Sequence, residues 1–268
     1  MNMFRILFSN LGYARMIDGS LRQHVGGLSR YVSCSPDIQR RALEQFRTLL
    51  HTHNIDLACI AEIDAGSSNN RYFNQLHFLK DATFPIAHAT NKYGTGKGLD
   101  LAPLSRGKSN GWIARAPLKY ECRFLSEGTK RLVYVLYPEH TPPILFGHFS
   151  LRAVTRRAQF IEVAKWVEEL GGNCIILGDF NNYRGMGELA PLTGGGKLHL
   201  LGTGGEPTFK FARYRATVDL CLASEALLKG LHVRVLPQPY SDHEALLIEW
   251  RQEVQASPLL SRSGEARR

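Results

Sequence analysis

Nine short apolar runs punctuate the chain: FRILF (4–8), LACIAEI (57–63), GWIARA (111–116), RLVYVLY (131–137), PILFGHF (143–149), CIILGDF (174–180), TVDLCLA (217–223), HVRVLP (232–237) and ALLIEW (245–250). They are rich in β-branched and aromatic residues and bounded mostly by Gly, Pro and polar turns, the pattern of strands. Two longer segments have helical spacing instead. Residues 35–54 place Ile38, Ala42, Phe46, Leu49 and Leu50 on one face, with Ser35 as cap and Pro36 at the first helical position. Residues 153–172 place Val154, Ala158, Ile161, Ala164 and Val167 likewise and stop at Gly171 and Gly172. Strands outnumber helices, so the pattern predicts two packed β-sheets with helices outside them rather than a regular βαβ repeat.

A chain of 268 residues can bury a core without disulfide staples, and no internal repeat divides it. We read residues 1–250 as one domain and residues 251–268 as a frayed, disordered basic tail. No apolar run approaches the roughly 20 residues that span a bilayer. FRILF also falls short of the about 7 to 15 residues of a signal-peptide core. The expected location is therefore cytoplasmic, and the expected state a monomer. The five cysteines are odd in number and form no CxxC pair or zinc-spaced cluster. Cys59, Cys174 and Cys221 lie inside strand-like runs and read as buried thiols. A formal net charge of +9 favours anionic partners: nucleic acid, phosphorylated small molecules or anionic phospholipid headgroups.

From Asp64 to Asn110 the sequence looks irregular, and a long irregular insertion is usually functional or mobile. Its GTGKG piece (94–98) is no nucleotide-binding P-loop, because no Ser or Thr follows Lys97 and the glycine spacing is wrong. The stretch carries Arg71, Tyr72, Phe73, Lys92, Tyr93, Lys97, Arg106 and Lys108. Basic residues interleaved with aromatics suit a phosphate backbone and stacked bases, and equally an anionic lipid surface.

Polar residues of a particular kind close several of the apolar runs. Asn10 follows FRILFS, Glu62 closes LACIA, His148 closes PILFG, and Asp179 and Asn181 stand in GDFNN. Asp219 lies in TVDLCLA, and Asp242 and His243 precede ALLIEW. By strand alternation Glu62 shares a face with Ile60 and with Asp64, so Asp64 is a further candidate support for a metal. Each has an ordinary alternative: Asn10, Asp179 and Asn181 as turn residues, Glu62 as a solvated strand end, His148 as a satisfied core histidine. A carboxylate on a buried strand face nevertheless needs a cation, and a hard divalent metal with oxygen ligands would supply it.

Taken together, SNLG, AEID, GHFS followed by an Arg-Gln helix start, GDFNN, TVDLCLAS and SDHEALL resemble the endonuclease/exonuclease/phosphatase superfamily, in its order and over nearly the whole chain, from Phe4 to about Trp250. GDFN and SDH are the most specific pieces. The resemblance implies an α+β fold, a four-layer αββα sandwich of two mainly antiparallel sheets flanked by helices. It also implies Mg²⁺- or Mn²⁺-assisted phosphoester hydrolysis by in-line attack of an activated water. In that pattern Glu62 matches the principal metal ligand, Asn10 helps hold metal or phosphate, and Asp242 helps place the metal. Asp179 polarises or deprotonates the water, Asn181 orients it or the phosphate, and His148 bonds a phosphate oxygen. Asp219 fixes His243, and the general base is Asp179 or His243. Arg152, Lys108 and Asn110 are the candidate substrate contacts, with Arg156 and Arg157 close by.

The substrate stays open, because one scaffold carries many functions. Nucleic acid, cleaved by a nuclease, is the first expectation. The second is a phospholipid, sphingomyelin or small phosphate ester, and the third a catalytically silent anion-binding module. Ser9 stands where abasic-site repair enzymes of the family carry Trp, Ala61 where they carry Gln, and Ala245 where many members have Pro, which turns the expectation away from abasic-site repair.

Overall fold

The computed structural model describes residues 3–94 and 98–251. Lys97 and the tail from residue 252 onward lie outside the described residues. The chain opens with β1 (Met3–Asn10), the short helices α1 (Leu21–Gly26) and α2 (Leu28–Val32), the long α3 (Pro36–Thr52) and β2 (Leu57–Asp64). Helix α4 (Gln75–Leu79), β3 (Ile86–Asn91), β4 (Lys108–Ala114), β5 (Lys119–Phe124), β6 (Leu132–Tyr137) and β7 (Ile144–His148) follow. Next come α5 (Ala153–Glu169), β8 (Ile175–Asp179), α6 (Ala190–Thr193), β9 (Leu198–Leu201), β10 (Phe209–Phe211) and β11 (Tyr214–Ala216). The last strands are β12 (Asp219–Ser224), β13 (Leu231–Leu236) and β14 (Ala245–Arg251).

One six-stranded sheet has the order β13-β14-β1-β2-β4-β3, the other β5-β6-β7-β8-β12-β9, and β10-β11 forms a separate hairpin. Each large sheet is antiparallel except for one central parallel pair, β1 with β2 and β7 with β8. Parallel neighbours need a crossover, which α3 and α5 provide. Three apolar clusters separate four layers. Ile6, Phe8, Trp112, Tyr134, Phe146 and Leu177 fill the space between the sheets. Leu43, Phe46 and Leu50 of α3 pack on the outer face of the first sheet, and Phe160, Val163 and Val167 of α5 on that of the second. The four-layer αββα sandwich is thereby present, with mixed sheets. No helix among the described residues is long and apolar enough to cross a membrane.

Helix α3 follows the sequence reading: Ser35 Oγ accepts the Ile38 N–H at 3.4 Å, Pro36 sits in the first turn, and Ala42, Phe46 and Leu50 are buried. Helix α5 does not present the expected face. Val154 is 86% and Ile161 42% exposed, while Arg156, Gln159, Phe160, Val163 and Val167 are buried. The inward turn is set by polar side chains with tertiary partners. Gln159 Nε2 donates to the carbonyls of Glu127 and Lys130 at 2.9 and 2.8 Å, and its Oε1 accepts the Ser150 N–H at 2.9 Å. Arg156 pairs with Glu188 and donates to the carbonyls of Ser150 and Leu151 at 2.8 and 3.0 Å. A face counted by hydropathy alone misses such buried, satisfied polar groups.

All nine sequence-read strands form. The seemingly irregular stretch from Asp64 to Asn110 also contains α4 and β3, which the sequence reading missed, as it missed β5, β9, β10 and β11. Cys59, Cys174 and Cys221 are buried free thiols, as is Cys34. Arg251, placed in the tail by sequence, closes β14 and pairs with Met3.

Candidate active site

The parallel pairs direct the C-terminal ends of β1, β2, β7 and β8 to one edge of the sandwich, and the polar strand-ending residues gather there. His148 stands opposite Asp179 in the β7–β8 register, and Asp179 opposite Asp219 in the antiparallel β8–β12 register. Gly147 and Gly178 face each other one step earlier; a Cβ on Gly178 would come within 1.9 Å of the Gly147 carbonyl oxygen. The glycine therefore permits the strand approach that sets His148 beside Asp179.

Asp179 is the centre of the arrangement. Its Oδ2 accepts a hydrogen bond from Asn10 Nδ2 at 3.1 Å and lies 3.2 Å from His148 Nε2, and its Oδ1 accepts the Asn181 N–H at 3.1 Å. Asn181, at φ 51°, turns its amide to donate to the Phe149 carbonyl at 3.0 Å. His243 Nδ1 and Asp219 Oδ2 are 2.8 Å apart, and His243 Nε2 lies 3.5 Å from Asn10 Nδ2. Burial disfavours a charged imidazole, yet Asp219, Asp179 and Asp242 outweigh it and raise His243 to about 10. His148 goes the other way: burial, with Lys130 and Lys92 beside it, holds it well below the usual histidine range. The Lys130 ammonium closes on His148 Nε2, which suits a neutral imidazole.

Glu62 sits on a β-bulge. The β2–β4 register shifts between Ile60 and Ile63, and Glu62 takes a left-handed φ of 53°. This corrects two expectations. The extra residue breaks the alternation, so Glu62 does not share a face with Ile60. Asp64 is likewise not a metal support: its oxygens accept the N–H groups of Gly66 and Ser67 at 2.8 and 2.5 Å, Asn70 Nδ2 at 2.7 Å, and the Ser67 hydroxyl. Asn110, expected at the substrate, instead faces the bulge, where its Oδ1 accepts the Glu62 N–H at 3.3 Å. Glu62 Oε1 accepts Lys92 Nζ at 3.0 Å. Although burial opposes the charge, Lys92 and Lys130 hold Glu62 well below the carboxylate range.

A divalent cation fits this donor set. Glu62 Oε2 accepts no hydrogen bond among the described residues, and the Asp242 carboxylate, beside His243, forms no side-chain ion pair among them. Asn10 Oδ1 spends one lone pair on the Gly12 N–H at 3.1 Å. These are hard oxygen donors, as Mg²⁺ or Mn²⁺ requires. Asp179, Asp219 and His243 also bring one potential ligand atom each within 4.8 Å of one another, and Asp219 Oδ1 is buried without a partner.

The other two expected contacts lie in different places. Arg152 is exposed at the start of α5, with no side-chain bond to the cluster. Lys108 is buried with its Nζ 3.9 Å from the centroid of the Tyr13 ring. Several residues escaped the sequence reading. Gln238 accepts the Ser9 hydroxyl at 2.6 Å and donates to the Asn10 carbonyl at 2.9 Å, and the Ser241 hydroxyl donates to the same carbonyl at 2.8 Å. Thr208 Oγ1 accepts the N–H groups of Val218 and Asp219 at 3.0 and 2.9 Å, and Phe209 packs on His243. Apart from Ser9 and Ser241, which lie in SNLG and SDHEALL, nothing local distinguishes these residues, whose partners lie ten or more residues away.

The profile of the Endonuclease/Exonuclease/phosphatase family matches residues 33–243. The chain belongs to that family. A curated relative, the uncharacterized protein YbhP of Escherichia coli K12, is 25% identical over 156 residues, 54% of this chain. The match spans only 61% of that relative's length. Among solved structures the fold is similar to the endonuclease domain of TRAS1, a telomere-specific non-LTR retrotransposon, at 17% identity and TM-score 0.58 over 94% of this chain and 100% of that one. TDP2 from Caenorhabditis elegans matches at 13% identity and TM-score 0.62, covering 93% of this chain and 74% of its own. The human nocturnin catalytic domain matches at 14% identity and TM-score 0.60, over 93% and 94%. Ser9 is not idle: its bond to Gln238 braces the Asn10 backbone.

Proposed function

We propose that this protein is a divalent-metal-dependent phosphodiester hydrolase acting on nucleic acid. The observation that carries the reading is Asp179 held between Asn10 and His148, beside the buried Asp219–His243 pair. Asp179 accepts the proton of the attacking water or orients it, with Asn181 fixing the same turn. Asp219 keeps His243 protonated, and the imidazolium stabilises charge growing on the phosphoryl oxygens or the leaving oxygen. His148 and Lys130 face the same phosphate. Glu62, Asn10 and Asp242 would hold Mg²⁺ or Mn²⁺, which would polarise the phosphoryl oxygen. The structural likeness to the endonuclease domain of TRAS1 and the +9 charge support a nucleic-acid substrate. The test is hydrolysis of DNA, RNA and bis-p-nitrophenyl phosphate by wild type and His243→Ala, with Mg²⁺, Mn²⁺ or EDTA. We expect metal-dependent cleavage that the substitution removes; no turnover of any ester by folded, metal-loaded protein would leave the anion-binding module.

A second reading, a lipid phosphoester, rests on the α1–α2 segment. Neither helix buries a residue, and Leu21, Val25, Leu28, Tyr31 and Val32 are exposed by 59, 69, 61, 40 and 76%. Arg22 and Arg30 accompany them, and no carboxylate occurs from Gly19 to Pro36. Such a rim suits an anionic lipid surface. Phosphatidylserine vesicles that retain wild type but not Leu21→Ser/Val25→Ser would favour it; equal retention of both would remove it.

A further inference from the structure

Three cations surround one tyrosine beside the site. Lys108 Nζ lies 3.9 Å, the Arg15 guanidinium carbon 4.8 Å and Lys92 Nζ 5.0 Å from the centroid of the Tyr13 ring. Tyr13, Arg15, Lys92 and Lys108 are 5, 8, 3 and 9% exposed. Lys92 is paired with Glu62, but Arg15 and Lys108 have no ion pair and donate no side-chain hydrogen bond among the described residues. Arg15 Nε is buried without a partner. Asp64 and Glu62 offset part of the Lys108 charge, but four donors of its own turn occupy the oxygens of Asp64 and Lys92 one oxygen of Glu62, so neither pairs directly with Arg15 or Lys108. Burial, then repulsion from Arg15, pushes Lys108 down to about 8. Cation–π contacts with Tyr13, and of Arg15 with Tyr31 at 5.0 Å, hold the cations in place without neutralising them.

Two adjacent buried cations with no direct ion-pair partner among the described residues are costly unless an anion joins them. A guanidinium fork beside an ammonium matches a phosphate group, which offers several charged acceptor oxygens. Lys92 links this position to the reaction centre, with its Nζ 3.0 Å from Glu62 Oε1. We propose that Arg15 and Lys108, over Tyr13, form a second phosphate subsite that binds a phosphate of the substrate other than the scissile one. The inference deepens the phosphodiester-hydrolase reading and rests on it for the substrate. The subsite selects molecules with at least two phosphates, such as a phosphorylated dinucleotide over one carrying a single diester.

Binding is measured first on folded protein in EDTA, with inorganic phosphate as the probe, by calorimetry and thermal shift. Phosphate should bind wild type, and binding should be at least about tenfold weaker in Arg15→Gln and Lys108→Met than in His148→Ala. Removing a buried like charge should leave those variants melting no lower than wild type without phosphate. Loss of binding in His148→Ala with none in Arg15→Gln would place phosphate at the reaction centre and overturn the subsite. So would no binding to wild type. With metal restored, kcat/KM for a 5′- or 3′-phosphorylated dinucleotide should exceed that of its unphosphorylated form, and the ratio should fall toward one in Arg15→Gln. An unchanged ratio would overturn the assignment to substrate. If no diester is turned over at all, the hydrolase reading fails while the EDTA titration still decides the subsite.

Discussion

His243 and Asn110 show how one side chain governs another. Asp219 raises His243 to about 10, so the folded state favours the protonated ring. The stabilisation this contributes is complete below the ordinary value of about 6.5 and is lost as pH rises through the folded value. In a pH–rate profile on bis-p-nitrophenyl phosphate the alkaline limb should follow that loss. Asp219→Asn removes the carboxylate, so the limb should move to lower pH. His243→Ala should lower kcat by about 10²- to 10⁴-fold. Asn110→Ala is expected to act differently. It frees the Glu62 N–H and loosens the bulge, so the metal concentration needed for half-maximal rate should rise about 10- to 100-fold, with kcat largely recovered at saturating metal.

Helix α5 is the element where sequence pattern and packing part. Its apolar residues are spread around the cylinder, so more than one face satisfied the helical spacing. The buried face was chosen by Gln159 and Arg156, whose partners at Glu127, Lys130 and Glu188 are visible only in the tertiary structure. Phe160→Ala should therefore cost about 3–5 kcal/mol in urea unfolding, and Ile161→Ala within about 0.5 kcal/mol. Strand β2 gives the parallel lesson for the site. Alternation holds through Ile60 and fails at the bulge, which moved Glu62 to the site and Asp64 into a turn. Bulges follow from a register mismatch with the partner strand, and the sequence of one strand does not contain it.

At the scale of the molecule, strand ends of two sheets meet at a single edge, and the chain carries a net charge of +9. With nucleic acid as substrate, KM should rise steeply between about 50 and 200 mM salt, since phosphate neutralisation releases counterions. The single-phosphate ester bis-p-nitrophenyl phosphate should show a much weaker dependence. A flat KM for both would argue against nucleic acid. The exposed α1–α2 rim, on the same side as Arg15 and Tyr31, gives the lipid reading its own observation.

The sequence alone determined nine strands, the cap and face of α3, and the residues Asn10, His148, Asp179, Asn181, Asp219 and His243 that the fold gathers. Those features are legible because hydropathy alternates locally and because chemistry-bearing residues terminate greasy strands. The hidden strands β3 and β5, with every residue at least partly exposed, carry no such contrast. The tertiary structure alone decided which face of α5 is buried, where Glu62 points, and that Arg15, Lys92 and Lys108 share one tyrosine. Each is a balance of burial against partners brought from distant segments, and no local pattern encodes that balance.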